Sequence, residues 1–150
     1  MNKSTRVINE LLVQLFTDVI QIEEQTLKNG ILSDISITEI HTIEAIGAYS
    51  ETSMSEIAQK LNITVSTLTT AINKLIKKGY VERKRIEEDR RVVLVKLNKR
   101  GKLAFRLHQR FHGEMINNAI EGLSLDEEEI LLSSLNKLND FFKEKYKLEQ

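Results

Sequence analysis

Apolar residues recur at three- and four-residue steps towards both ends of the chain, and the pattern breaks into shorter pieces between them. Ile8, Leu11, Leu12, Leu15, Val19 and Ile22 predict one amphipathic helix over about 5–28, stopped by Asn29-Gly30. Ser36 stands three residues before Glu39, the capping-box spacing in which each side chain satisfies an orphan backbone N–H, so a second helix is expected to about Ala48. Tyr49 to Thr52 reads as a connection. Ser53 and Glu56 repeat the box and open a short helix with Ile57, Ala58 and Leu61 on its apolar side. Asn62 suits a left-handed turn into the next helix, which starts at the N-cap Thr64 and stops at Gly79. Two short helices about one turn apart form a helix-turn-helix.

The second helix of this pair has two faces. Leu68, Ile72 and Leu75 fall at i, i+4 and i+7 and share the inward one. Ser66, Thr70, Asn73 and Lys77 lie opposite, flanked by Thr67 and Lys74, and offer hydroxyl, amide and ammonium groups that can reach base edges and phosphates in a major groove. A face that only needs solvation has no use for weak helix formers, yet four threonines fall between Thr64 and Thr70.

After Gly79 the period changes to two. Tyr80 to Ile86 and Arg91 to Leu97 predict a two-stranded hairpin around the polar turn Glu87-Glu88-Asp89-Arg90. A basic hairpin directly after a reading helix is the wing of a winged helix, and Arg90 and Arg91 at its tip suit a minor groove or the phosphate backbone. Asp89 alone would repel phosphate, so it is expected to pair with and orient a wing arginine.

Asn98 caps a further helix to about Ala119, with Leu103, Leu107, Phe111 and Met115 in line. Ser124 and Glu127 make a third capping box, and the last helix is expected to bury Leu131, Leu135, Leu138 and Phe142, with Ile130, Leu132 and Phe141 widening the stripe. The fold class is therefore mainly α with a small β-hairpin wing, in one domain over 1–150. The winged helix-turn-helix occupies about 36–98, between helices over about 5–28 and 99–147. Those terminal helices carry broader apolar faces than one small winged helix can cover, which points to a homodimer. Two reading helices about 34 Å apart then suit a pseudo-palindromic duplex.

Charge sharpens this picture where composition alone does not. The formal net charge is zero, but Lys74 to Arg106 holds 13 basic and 4 acidic residues, while Met1 to Asn73 holds 4 basic and 9 acidic. A polyanion footprint is thus concentrated on the reading helix, the wing and the start of the next helix. There is no cysteine, which fits a reducing cytoplasm, and no apolar run approaches the roughly 18 residues of a membrane span. No Walker loop, Gly-rich dinucleotide turn or nucleophile elbow is present, so an enzyme is not expected.

Asp89-Arg90-Arg91, followed by Leu97, Asn98 and Gly101, resembles the D-x-R-x-x-x-x-x-L-T-x-x-G signature of the MarR family of winged-helix transcriptional regulators, with Asn98 where the family usually has threonine. Asp34-Ile35-Ser36-Ile37, Ile40-His41-Thr42-Ile43, Asp89-Arg90-Arg91-Val92-Val93 and Arg106-Leu107-His108-Gln109-Arg110-Phe111-His112 look like the FabT-type branch, repressors of fatty-acid synthesis. The family resemblance implies a dimer lobe built from the terminal helices. The branch implies a long acyl chain on acyl carrier protein as corepressor. That carrier is acidic, and Arg106 and Arg110 offer it a basic docking surface.

The same resemblance carries two alternatives. His108 and His112 stand at i, i+4, and zinc-responsive MarR relatives place a glutamate and histidines at positions similar to Glu24, His41, His108 and His112. A carboxylate with three imidazoles is a good zinc set. Gln109 stands where a zinc protease would need its general base, so hydrolysis is not expected. The bland alternative has the histidines as hydrogen-bonding links between helices, with another small molecule as effector. From outside the family, a zinc- or ligand-binding scaffold without a DNA role competes, against the basic segment.

Overall fold

A computed structural model describes residues 2–146, and the chain divides into two compact units, 1–41 and 42–150. Helix α1 covers Lys3–Asn29, and Asn2 caps it by accepting the Thr5 N–H at 2.8 Å. Among its residues only Glu23 and Leu27 are buried, while Ile8, Leu11, Leu15, Phe16 and Ile20 are half or more exposed. Helix α2, Ile37–Ile46, crosses the boundary between the units. Its capping box forms as expected: Ser36 N–H donates to Glu39 at 2.9 Å and Glu39 N–H to Ser36 Oγ at 3.2 Å. The helix ends two residues before Ala48 because Gly47 adopts φ +82°, a left-handed conformation that ends the helical run.

The second unit continues with β1 (Thr52–Ser53), α3 (Met54–Leu61), α4 (Val65–Lys77), β2 (Val81–Arg85), β3 (Val93–Leu97), α5 (Lys99–Ile120) and α6 (Leu125–Tyr146). Ser53 and Glu56 make the reciprocal box at the start of α3, and Asn62 takes φ 53° between α3 and α4. The hairpin forms as expected, β2 pairing antiparallel with β3, but the sheet has a third strand. Thr52 and Ser53, expected to be connection and cap, pair with Val95 and Leu94, giving an antiparallel sheet of order β1-β3-β2. The third strand lies in the middle, which explains why Val95 and Leu97 are buried while four of the five residues of β2 are exposed. Leu68, Ile72 and Leu75 are fully buried in α4, as their spacing predicts, together with Ile57 of α3 and Tyr80.

Helix α5 is anchored through its first turn. Asn98 Oδ1 accepts from the N–H groups of Arg100 and Gly101, both at 3.0 Å, and its Nδ2 donates to the Gly79 carbonyl at 2.8 Å. One amide thus caps α5 and holds the residue that ends α4. A threonine hydroxyl has one proton and no second arm, so asparagine adds a tie that threonine would lack. Arg100 reinforces the junction, donating to the Lys78 carbonyl and lying 4.2 Å above the Tyr80 ring. The buried line of α5 is Gly101, Ala104 and His108, and not the expected row of Leu103, Leu107, Phe111 and Met115, which stays half-buried or exposed. Close approach at this end favours small residues. Helix α6 has no buried residue within one chain: Leu131, Leu135, Leu138 and Phe142 are 39–50% exposed. Lys147 and the residues after it lie outside the described part, and no helix among the described residues is long and apolar enough to cross a membrane.

Candidate nucleic-acid interface

Helix α4 presents the whole set picked out from its spacing. Ser66, Thr67, Thr70, Asn73, Lys74 and Lys77 are all exposed on the side away from Leu68, Ile72 and Leu75. Thr64 caps the helix by accepting the Thr67 N–H at 3.1 Å, and its hydroxyl meets that of Thr67 at 2.9 Å. The first turn is therefore ordered before any ligand arrives.

The wing supplies the charge. Arg90 and Arg91 are exposed at the tip, with the Arg91 side chain 96% accessible. Asp89 acts on the turn more than on a guanidinium. Its carboxylate accepts the Arg91 backbone N–H at 3.0 Å, while the Arg91 Nε stays 4.0 Å away. This Asx-type bond, with Val92 N–H donating to the Asp89 carbonyl at 3.0 Å, fixes the tip conformation and leaves the arginine head outward. Asp89 thus meets Arg91 twice, through the backbone hydrogen bond at 3.0 Å and a long ion pair at 4.0 Å.

Three arginines of the wing, Arg83, Arg85 and Arg91, line a cleft of about 420 Å³ together with Ser53, Ser55, Val65 and Thr69 from the starts of α3 and α4. Guanidinium groups and helix N-termini have the same sign of potential, so phosphate is favoured along this edge. Arg83 was not singled out by the sequence pattern. It bonds α4 directly, Nη1 donating to Asn73 Oδ1 at 3.1 Å. Strand alternation gives no sign of such a contact, because it forms between elements.

The sensor candidates belong to both units by their place in the chain. In the first unit, His41 Nε2 meets Glu23 Oε1 at 3.0 Å, and Glu23 is buried. Glu24, expected in the zinc set, is instead exposed beside Lys28 at 3.9 Å, since adjacent helical residues point about 100° apart. In the second unit, His108 Nδ1 lies 2.6 Å from Glu44 Oε1, and His108 Nε2 lies 3.2 Å from His112 Nε2. Gln109 donates to the other Glu44 oxygen at 2.7 Å. Of the two docking arginines, Arg106 is exposed, and Arg110 is held by Glu114 at 2.6 Å, a contact that raises its pKa.

A crystal structure of Streptococcus pneumoniae FabT in complex with DNA superposes with a TM-score of 0.90, at 41% identity over 93% of this chain and 98% of that one. Residues 35–93 match the sequence profile described as the MarR family. The chain belongs to the MarR family. Further relatives come from Bacillus subtilis strain 168: the HTH-type transcriptional regulator PchR, 26% identical over 69% of this chain, and the HTH-type transcriptional regulator YfiV, 30% identical over 71%. The matched stretches span 63% and 66% of those two proteins, just under two thirds of their length. These relatives are named as HTH-type transcriptional regulators, and the chain is a transcriptional regulator of the MarR family and not an enzyme.

Proposed function

We propose that the chain works as a homodimeric DNA-binding repressor of fatty-acid synthesis genes, with long-chain acyl carrier protein as corepressor. One observation carries the reading: the 41% identity to FabT, solved on DNA, extends over 93% of the chain. In this reading Ser66, Thr67, Thr70, Asn73 and Lys74 read or position the major groove, Lys77 contacts phosphate, and Arg90 and Arg91 engage the backbone or minor groove around the turn that Asp89 fixes. The winged helix-turn-helix over 36–98 is the DNA-binding part. The helices over 5–28 and 99–147 form the dimer lobe, supported by the exposed apolar faces of α1 and α6. The operator is then pseudo-palindromic and the protein cytoplasmic. Arg106, which is exposed and has no carboxylate partner among the described residues, is the stronger docking candidate, and Arg110 must first leave Glu114. Corepressor and operator must tighten each other's binding reciprocally.

A second reading, zinc response, is favoured by the converging imidazoles. Two ligands of one tetrahedral ion at about 2.05 Å sit roughly 3.3 Å apart, and the His108 and His112 Nε2 atoms are 3.2 Å apart. Glu44 on the far nitrogen of His108 would fix its tautomer as metal-bound imidazoles require. The same distance suits a hydrogen bond, so the donor set fits both.

Fluorescence anisotropy of a labelled fatty-acid-operon promoter duplex at fixed salt separates these. Tightening by long-chain acyl carrier protein alone is expected. Tightening by zinc alone, reversed by chelator, moves the effector to the histidines. A shift that does not weaken with salt would remove the DNA reading altogether.

A further inference from the structure

Asn73 and Arg83 are both exposed, ten residues apart in the chain, and joined by the 3.1 Å bond from Arg83 Nη1 to Asn73 Oδ1. A guanidinium carries donors only, so chemistry decides which end of the amide faces it: the oxygen turns to the wing and Nδ2 turns outward. Arg83 is held in its own place by the sheet, where it pairs across β3 with Val95, a fully buried residue. We infer that Arg83 is a positioning residue which fixes the polarity of Asn73, so that α4 presents a hydrogen-bond donor at this point of the groove. The inference rests on the DNA-binding reading and deepens it.

The consequence is a base preference. An amide that presents N–H selects an acceptor on the base edge, such as guanine N7 or O6 or thymine O4, and rejects the N4 amino group of cytosine, which is itself a donor. An untethered asparagine can rotate half a turn and offer either end, so it discriminates poorly between the two kinds of edge. The wing would then contribute to specificity without touching a base.

The test is selection from a duplex library with a randomised core, carried out in parallel by the full-length protein, Arg83→Met and Asn73→Asp, with titration of single-base-pair variants of the enriched site. Arg83→Met keeps the length of the side chain and removes its donors. The unaltered protein is expected to disfavour cytosine at one base pair per half-site by about three- to tenfold, the range of a single hydrogen bond. Arg83→Met should bring that ratio near one while leaving preferences elsewhere in place. Asn73→Asp still accepts from Arg83 but has lost the donor, and should shift the preference at the same pair towards cytosine. An identical consensus for Arg83→Met, with affinity lowered equally on every sequence, makes Arg83 a phosphate contact and overturns the inference alone. No enrichment by the unaltered protein overturns the DNA reading and this inference with it. Thermal melting of each variant confirms that the compared proteins are folded.

Discussion

Replacing Gly101 by alanine puts one methyl group into the junction between α4 and α5, and the structure sets the scale of the damage. A Cβ built there lies 2.1 Å from the Tyr80 carbonyl oxygen and 3.2 Å from both the Tyr80 carbonyl carbon and Leu97 Cβ. Carbon contacts settle at about 3.5–4.0 Å, so backbone, not a flexible side chain, must retreat by roughly an ångström or more. That movement stretches the bond from Asn98 N–H to the Tyr80 carbonyl, now 3.1 Å, and the 2.8 Å bond from Asn98 Nδ2 to the Gly79 carbonyl. Overpacking costs about 1–3 kcal/mol, and each weakened hydrogen bond adds up to about 1 kcal/mol. The better helix propensity of alanine returns at most about 1 kcal/mol. A net loss of about 2–3 kcal/mol is expected. Urea unfolding at one fixed protomer concentration reads it as a lower midpoint with an unchanged slope. Gly113→Ala is the internal control, on the same helix with nothing within 4 Å of its Cβ, and should gain up to about 1 kcal/mol. Equal midpoints for the two variants would refute the close-approach argument.

Three further outcomes are expected. Asn98→Thr should keep the cap of α5 but lose the tie to Gly79, and Asn98→Ala should lose both, with denaturation midpoints in the order asparagine, threonine, alanine and a total span of about 2 kcal/mol. Hydrogen bonds from the Ser53 backbone N–H and then its hydroxyl hold the Glu56 carboxyl below its ordinary value, and Ser124 does the same for Glu127. A depressed pKa contributes stability that is complete above the ordinary glutamate value of about 4.3 and fades as pH falls through the folded value. Glu56→Gln with Glu127→Gln should therefore flatten the acid side of a melting-temperature profile below about pH 4, and an unchanged profile would show the boxes contribute nothing there. Arg91→Ala removes a side chain that is 96% exposed, so it should weaken promoter binding and lower the log–log salt slope by about 0.9 with little change in melting; unchanged affinity would take the wing tip out of the interface.

Much of this was legible because it is local. The spacing of Leu68, Ile72 and Leu75 is a property of one helix, and so is the exposure of Asn73 on its other side. All three serine–glutamate boxes formed where their three-residue spacing placed them. What escaped the sequence needs a partner from elsewhere in the chain. Thr52 and Ser53 carry no strand period in two residues, and only β3 makes them a strand. Glu23 and Glu24 are the same residue type at adjacent positions, and the neighbour that distinguishes them is His41, 18 residues from Glu23. Arg83 sits among exposed charged residues of β2 and is marked out only by its bond to Asn73. Apolarity in α5 and α6 likewise tells which residues prefer to be covered, but not what covers them.

The wing begins and ends at a single place. Tyr80, just before β2, accepts the N–H of Asn98, just after β3, and Val81 faces Leu97 across the first rung. Asn98 and Arg100 also hold the carbonyls of Gly79 and Lys78, so the chain leaves the end of α4 and returns to the start of α5 through one knot of bonds. The tip of the hairpin, residues 86–92, makes none of these junction bonds. Residues can be added at the exposed tip while the buried feet of the hairpin, and the junction they pack on, stay as they are. A regulator built this way can alter how far it grips around a duplex without having to rebuild the body that does the gripping.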